Sequence, residues 1–213
     1  MTARKSTRFR KILLACALLA GGCAAGSFRP PDVRYEPTPM EVVGTMLDLT
    51  AIRSTDVVAD LGCGDGRLVI EALRRGAARA LCVDIDPDLI VKARENARRA
   101  GVAERITFFN QDMFGVELRG VSVVTLFLSP GLNRELRPKL MRELAPGARV
   151  VSHWHDMGDW PPSRTVRLRP GGGRERAVYL WVIPSSPALP VPSSPAPPAP
   201  SSPAPPRASP EAR

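Results

Sequence analysis

From Pro39 to Ile183, short runs of consecutive apolar residues alternate with stretches in which apolar residues recur every three or four positions. This is the pattern of buried strands separated by amphipathic helices. Val42, Val43, Met46 and Leu47 mark one face of a first helix, and Thr38-Pro39-Met40-Glu41 reads as its capping box with proline at the first helical position. Val57-Val58-Ala59 enters a short buried strand, residues 66–75 read as a helix, and Ala80-Leu81-Cys82-Val83 is a second strand. Asp86-Pro87 caps a helix that runs to Ala100 and stops at Gly101. Ile106-Thr107-Phe108-Phe109 and residues 121–128 continue the series of strands. Leu132, Leu136, Leu140 and Leu144 then recur every fourth residue on a helix that Pro138 is expected to divide or kink. Ala148-Arg149-Val150-Val151-Ser152 is a fifth strand, and residues 165–168 and 177–183 form a hairpin across Gly171-Gly172-Gly173. The alternation predicts an α/β fold: a Rossmann-like, mostly parallel sheet with helices on both faces and a C-terminal β-hairpin whose last strand runs antiparallel.

Both ends of the chain break this pattern. Arg4, Lys5, Arg8, Arg10 and Lys11 precede an apolar run from Ile12 to Ala20, and no acid occurs before Asp32. That is the signature of a secretory leader, and the run falls short of the roughly 20 residues a membrane-spanning helix needs. Its end, Leu19-Ala20-Gly21-Gly22-Cys23, resembles the bacterial lipobox, in which the cysteine is lipidated. Cleavage after Ala25 is the other route. Residues 1–25 are therefore expected to be a signal peptide, and the protein to be exported to the cell envelope or periplasm, with membrane attachment through a lipidated Cys23; a cytoplasmic location is the alternative. Residues 184–213 contain 12 prolines among alanines and serines, too little apolar side chain to form a core, and are expected to be disordered. Residues 29–183 remain as the folded domain.

Composition changes this picture in one respect. The net charge of +9 resembles that of a nucleic-acid binder, but residues 1–22 hold +5 and residues 184–213 hold +1, so the folded body is near +3. Specific nucleic-acid binding loses its support.

The chemistry concentrates at Asp60-Leu61-Gly62-Cys63-Gly64-Asp65-Gly66, between the first strand and the second helix. Alternating glycines let the backbone approach a ligand closely and turn amides toward it. A dinucleotide fingerprint would need glycine at position 67, where arginine stands, so the spacing points away from NAD. Asp84 ends the second strand, where a carboxylate can accept the hydroxyls of a ribose. Ile85 can pack on an adenine face, and Asp112 after the third strand can meet the edge of the same base. Asp86 and Asp65 read as helix caps or surface charges. Cys63 and Cys82 read as small core residues rather than a disulfide. No four ligands stand at zinc spacing, so no metal is expected.

Together D-L-G-C-G-D-G, V-D-I-D-P and Q-D-M-F resemble the motifs of class I S-adenosylmethionine-dependent methyltransferases. The resemblance implies that Gly62, Gly64 and Gly66, with Asp60 beside them, hold the methionine part of the cofactor, that Asp84 holds the ribose, and that Asp112 contacts the adenine. Tyr35-Glu36-Pro37-Thr38-Pro39, Leu126-Phe127-Leu128-Ser129-Pro130 with Leu132-Asn133, and Ser152-His153 with Met157-Gly158-Asp159-Trp160 resemble a narrower group. It includes the lysine methyltransferases that act on the c-ring protein of ATP synthase and their bacterial relatives. Protein-lysine N-methylation is implied, with a protein or peptide acceptor. Asp159 is then expected to orient the incoming ammonium, His153 or less readily His155 to accept a proton, and Ser129 and Asn133 to line the acceptor pocket. Methylation of a small molecule or lipid headgroup is a second reading. A third, an exported ligand-binding module without turnover, arises because S-adenosylmethionine is made in the cytoplasm.

Overall fold

Seven strands share one sheet in the computed structural model, which describes residues 35–185. The expected leader with Cys23, the first residues of the expected domain (29–34) and the tail beyond Ser185 lie outside the described residues. The strands are β1 (Val57–Leu61), β2 (Arg79–Asp84), β3 (Ile106–Asn110), β4 (Val123–Leu126), β5 (Arg149–His153), β6 (Arg164–Leu168) and β7 (Arg176–Val182). Their order is β3-β2-β1-β4-β5-β7-β6. The first five pair in parallel, and β7 runs antiparallel to both β5 and β6. β7, the last strand in sequence, is thus inserted between β5 and the edge strand.

Neighbouring residues on a strand face opposite sides, and the core divides accordingly. Val58, Ala80, Cys82, Val123, Val151 and Val178 face α1 (Met40–Thr50), α2 (Arg67–Arg74) and α3 (Pro87–Arg99). Ala59, Val83, Val124, Leu126, Val150 and Trp181 face α4 (Pro130–Glu143) and the segment holding Val116, Leu118 and Val121. At the base of the sheet the two layers are closed by polar groups. There Arg149 pairs with Asp56, donates to the Thr50 carbonyl, and Asp56 accepts from Ser122 Oγ at 2.8 Å. One buried ion pair therefore joins the end of α1 to the starts of β1, β4 and β5.

Two local expectations fail. Thr38 does not cap α1: it is buried, with its hydroxyl 3.4 Å from His153 Nδ1, and Pro39 occupies the N-cap position. Glu41, the other half of the expected box, accepts instead from the Gly171 N–H of the β6–β7 connection at 3.0 Å. Nor does Pro138 divide α4, which continues through it. Arg134, whose carbonyl loses its helical donor to Pro138, lies on the exposed face, where water can satisfy that group. The cap of α3 is as expected, with Asp86 Oδ1 accepting from the Asp88 and Leu89 N–H groups.

Candidate active site

β1 pairs with β2 on one side and β4 on the other, so the connections that leave its neighbourhood diverge and open a crevice at the carboxyl ends of the strands. A cavity of about 720 Å³ fills that crevice. The ends of β1, β2 and β3 line one half; residues following β4 and β5, with Arg174 of the hairpin and the segment before α1, line the other.

The first half is built on the glycine loop. Gly62, Gly64 and Gly66 have φ of 85°, 54° and 79°, a region that side-chain-bearing residues rarely adopt. A Cβ on Gly64 would stand 2.5 Å from the Tyr35 ring, and one on Gly66 3.1 Å from Ala93 of α3. The Gly62 and Cys63 N–H groups donate to the Val83 carbonyl, and the Gly64 N–H donates to Asp84 Oδ2 at 2.8 Å. The loop is thus folded back against the end of β2. A Cys63–Cys82 disulfide makes the same connection covalently, correcting the expectation that both are unlinked core residues. Cys82 lies in register with Asp60, and the return of the loop brings Cys63 to a Cα separation of 5.3 Å, within bridging range.

The carboxylates occupy distinct environments. Asp60 is buried and accepts from Thr125 Oγ1 at 2.7 Å; burial pushes its carboxyl up to about 8, helped by the charges of Asp84 and Asp65. Asp84 is also raised, by burial, against the opposing pull of the amides of Asp86 and Gly64. Asp65 moves the other way. Burial would raise it, but the Arg67 guanidinium grips both its oxygens and holds it low; it is a buried, paired carboxylate in the cavity lining, not the helix cap or surface charge expected. Ile85 and Asp112 line the cavity beside Asp84, and Asp112 Oδ1 accepts from the Phe114 N–H at 2.9 Å. The glycine cradle, three carboxylates and an apolar Ile85 surface form a donor and acceptor set that fits S-adenosylmethionine: ammonium, ribose diol and adenine each find a partner of suitable chemistry.

A neutral Asp60 has a measurable consequence. The arrival of a cationic methionine ammonium favours the ionised carboxyl, so cofactor binding at pH 7 will release a proton and tighten as pH rises toward about 8. Calorimetry in buffers of different ionisation enthalpy measures that proton. Asp60→Asn should abolish the release; an unchanged release places the proton elsewhere.

In the other half the structure redistributes the expected roles. Ser129 lines the cavity as expected, while its Oγ also caps α4 by accepting from the Leu132 N–H at 3.3 Å. Asn133 does not line it. Fully buried, its Nδ2 donates to Ser152 Oγ and to the carbonyls of His155 and Asp156, so it braces the loop after β5. Asp159 is likewise displaced: its side chain is 89% exposed and pairs with Arg137 on the outer surface. The reason is Met157, fully buried and bridged to Trp160, which turns the intervening residues outward. His153 is buried behind Phe127, ring centroids 4.0 Å apart, and burial lowers its imidazole to about 4. It packs behind the wall and does not line the cavity, so it is out of reach of a group bound there.

The cavity wall is formed instead by Trp154 and His155. Trp154 adopts φ 69°, a left-handed conformation unusual for tryptophan, and its N–H donates to the Ala177 carbonyl of β7 at 2.6 Å. Its ring stacks with His155 and lies under the guanidiniums of Arg174 and Arg176, at 4.5 and 4.0 Å. Burial lowers the His155 imidazole. Tyr35, Glu36 and Arg174 also line the cavity; the first two belong to the Tyr35-Glu36-Pro37-Thr38-Pro39 motif, which the sequence reading gave no role in the site, and no motif or spacing singles out Arg174. Trp154 and His155 carry a usable signal, since they directly follow a parallel strand whose end faces the crevice.

Residues 60–164 match the ANTKMT methyltransferase domain family. A protein of Saccharolobus islandicus named protein-lysine N-methyltransferase is 39% identical over 154 residues, spanning 72% of this chain and 95% of that protein. The adenine nucleotide translocase lysine N-methyltransferase of Mus musculus is 36% identical over 145 residues, 68% of this chain and 61% of that protein. Among solved structures, an RNA methyltransferase from Salinibacter ruber in complex with S-adenosyl-L-homocysteine is 49% identical, covers 70% of this chain and 95% of that chain, and superposes with a TM-score of 0.66.

Proposed function

The chain belongs to the ANTKMT-type methyltransferases, class I enzymes that use S-adenosylmethionine, and from that premise we propose that it transfers methyl groups to the side-chain amine of lysine in a protein. The observation that carries the reading is one continuous cavity in which the cofactor-type acids of β1 to β3 face an aromatic wall, Phe127, Trp154 and His155, supplied by β4 and β5. The similarity to a protein-lysine N-methyltransferase over 95% of that protein's length supports the same acceptor.

Bound S-adenosylmethionine supplies a methyl group made electrophilic by its sulfonium. What the protein adds is placement and proton handling. Asp84 would accept the ribose hydroxyls, Ile85 would cover the adenine face, Asp112 would meet its edge, and the Gly62–Gly64 backbone would leave room for the methionine end. Phe127 and Trp154 exclude water from the path of the amine, which matters because displacement needs an aligned, desolvated nucleophile. A lysine ammonium cannot attack until it loses its proton. His155, the imidazole that lines the cavity, can take that proton; burial lowers it and so favours the unprotonated form that accepts one.

The test uses the same residue. Labelled cofactor is incubated with envelope and cytosolic extracts, and modified residues are mapped by mass spectrometry. Label on lysine supports the reading, whereas label confined to RNA, lipid or metabolites overturns it. His155→Ala should lower kcat about 100-fold or more with less change in cofactor affinity, as loss of a general base does.

We further propose that the protein works outside the cytoplasm, anchored through Cys23. The basic leader and lipobox-like sequence support this. The Cys63–Cys82 disulfide supports it independently, because such bonds persist in oxidising compartments. In cells fed labelled palmitate, the protein should take up label and Cys23→Ala should not; equal labelling of the variant excludes that anchor.

A further inference from the structure

The cavity wall carries a charge that the proposed methyl transfer does not use. Arg174 lines the acceptor half, is exposed, and among the described residues meets no carboxylate; its guanidinium lies over the Trp154 ring. Its neighbours differ. Arg176 donates to Glu36 at 3.3 Å, and Arg67 is held by Asp65. Strand register places the hairpin tip at the same end of the sheet as the cavity, since His153 pairs with Val178 and Val178 with Val166. Arg167 and Arg169 therefore stand at that end too, where they share the single carboxylate of Glu175 at 3.7 and 3.6 Å. Glu41, another carboxylate beside the tip, is engaged by the Gly171 N–H.

The arrangement has a directional effect on a peptide. An isolated guanidinium at the mouth repels a segment rich in lysine or arginine and attracts one that brings a carboxylate. It is also held in place. Trp154, fixed in its left-handed conformation by the bond to Ala177, supplies an aromatic face against which the Arg174 guanidinium is ordered, leaving its donors free to meet a partner as a planar fork. The neutral aromatic wall behind it receives the lysine chain itself.

We propose that Arg174 is a specificity residue that selects lysines flanked by aspartate or glutamate, with Arg167 and Arg169 extending the same docking surface for acidic segments along the hairpin. The inference rests on the protein-lysine reading above. A nucleic acid would meet the same charges, and the RNA arm of the test below distinguishes it; the low net charge of the folded body, near +3, favours the peptide.

Three peptides with one central lysine, flanked by aspartate, serine or arginine, distinguish the outcomes when incubated with full-length protein and labelled S-adenosylmethionine. The aspartate peptide should show kcat/KM at least about tenfold above the serine peptide, mostly through KM, with the advantage shrinking as salt is raised. The arginine peptide should be poorest. Arg174→Glu, checked for folding by thermal unfolding, should reverse the order, and Arg174→Lys should retain part of it because charge survives while the fork is lost. Equal rates on all three peptides, or an acidic preference that persists in Arg174→Glu, overturn the role of Arg174 while leaving the lysine reading intact. No product from any peptide, with label entering an RNA oligonucleotide instead, overturns both.

Discussion

Replacing Asp84 by alanine will weaken S-adenosylmethionine binding by at least about 100-fold. The ribose diol loses a charged acceptor for two hydrogen bonds, each worth about 1.5–3 kcal/mol when the acceptor is ionised, and tenfold in affinity corresponds to about 1.4 kcal/mol. A second effect has the same sign. Asp84 also accepts from the Gly64 and Asp86 amides at 2.8 and 3.0 Å, so the variant loosens the glycine loop that must hold the methionine end. Asp84→Asn separates the two contributions, because an amide oxygen can keep one backbone bond while the charge is gone. Titration calorimetry on variants that unfold cooperatively is the measurement. Wild-type affinity in Asp84→Ala would remove the ribose from this position.

The second large effect concerns stability. The Cys63–Cys82 bond closes a loop with a sequence separation of 19. The chain entropy removed by closing such a loop is worth about 3 kcal/mol, equivalent to roughly 6–12 °C in Tm for a domain of this size. The Cys63→Ala/Cys82→Ala protein, and wild type treated with a strong reductant, should both fall by that amount and to similar midpoints. Cofactor binding should weaken with them, since Cys63 stands between two of the glycines and lines the cavity. If reductant leaves the midpoint of wild type unchanged while thiol titration finds both cysteines reduced, the bond carries no stability.

The two halves of the site differ in how far the sequence discloses them, and the difference has a physical origin. Asp84, Ile85 and Asp112 follow buried strands directly, and Gly62 to Gly66 lie between strand and helix, so position along the chain translates into position around the crevice. The acceptor half depends on how loops return. Arg174 reaches Trp154 only because β7 pairs with β5, and Asp159 leaves the cavity because Met157 is buried two residues before it. His153 and His155 differ by a single turn of backbone at Trp154, which places one behind Phe127 and the other on the wall. Periodicity carries no record of that turn. The disulfide is similarly hidden, because its partners meet through a loop reversal that no spacing encodes.

The insertion of β7 between β5 and β6 bears on when the protein becomes functional. A ribosome releases residues 164–168 before residues 176–182, so the edge strand exists before the strand that joins it to the sheet. Until β7 docks, Trp154 lacks the Ala177 carbonyl that receives its N–H, and the arginines of the hairpin have no fixed place beside it. The cofactor half, made by residues 57–112, needs none of this. A nascent chain therefore acquires its nucleotide-type pocket first and its acceptor wall last.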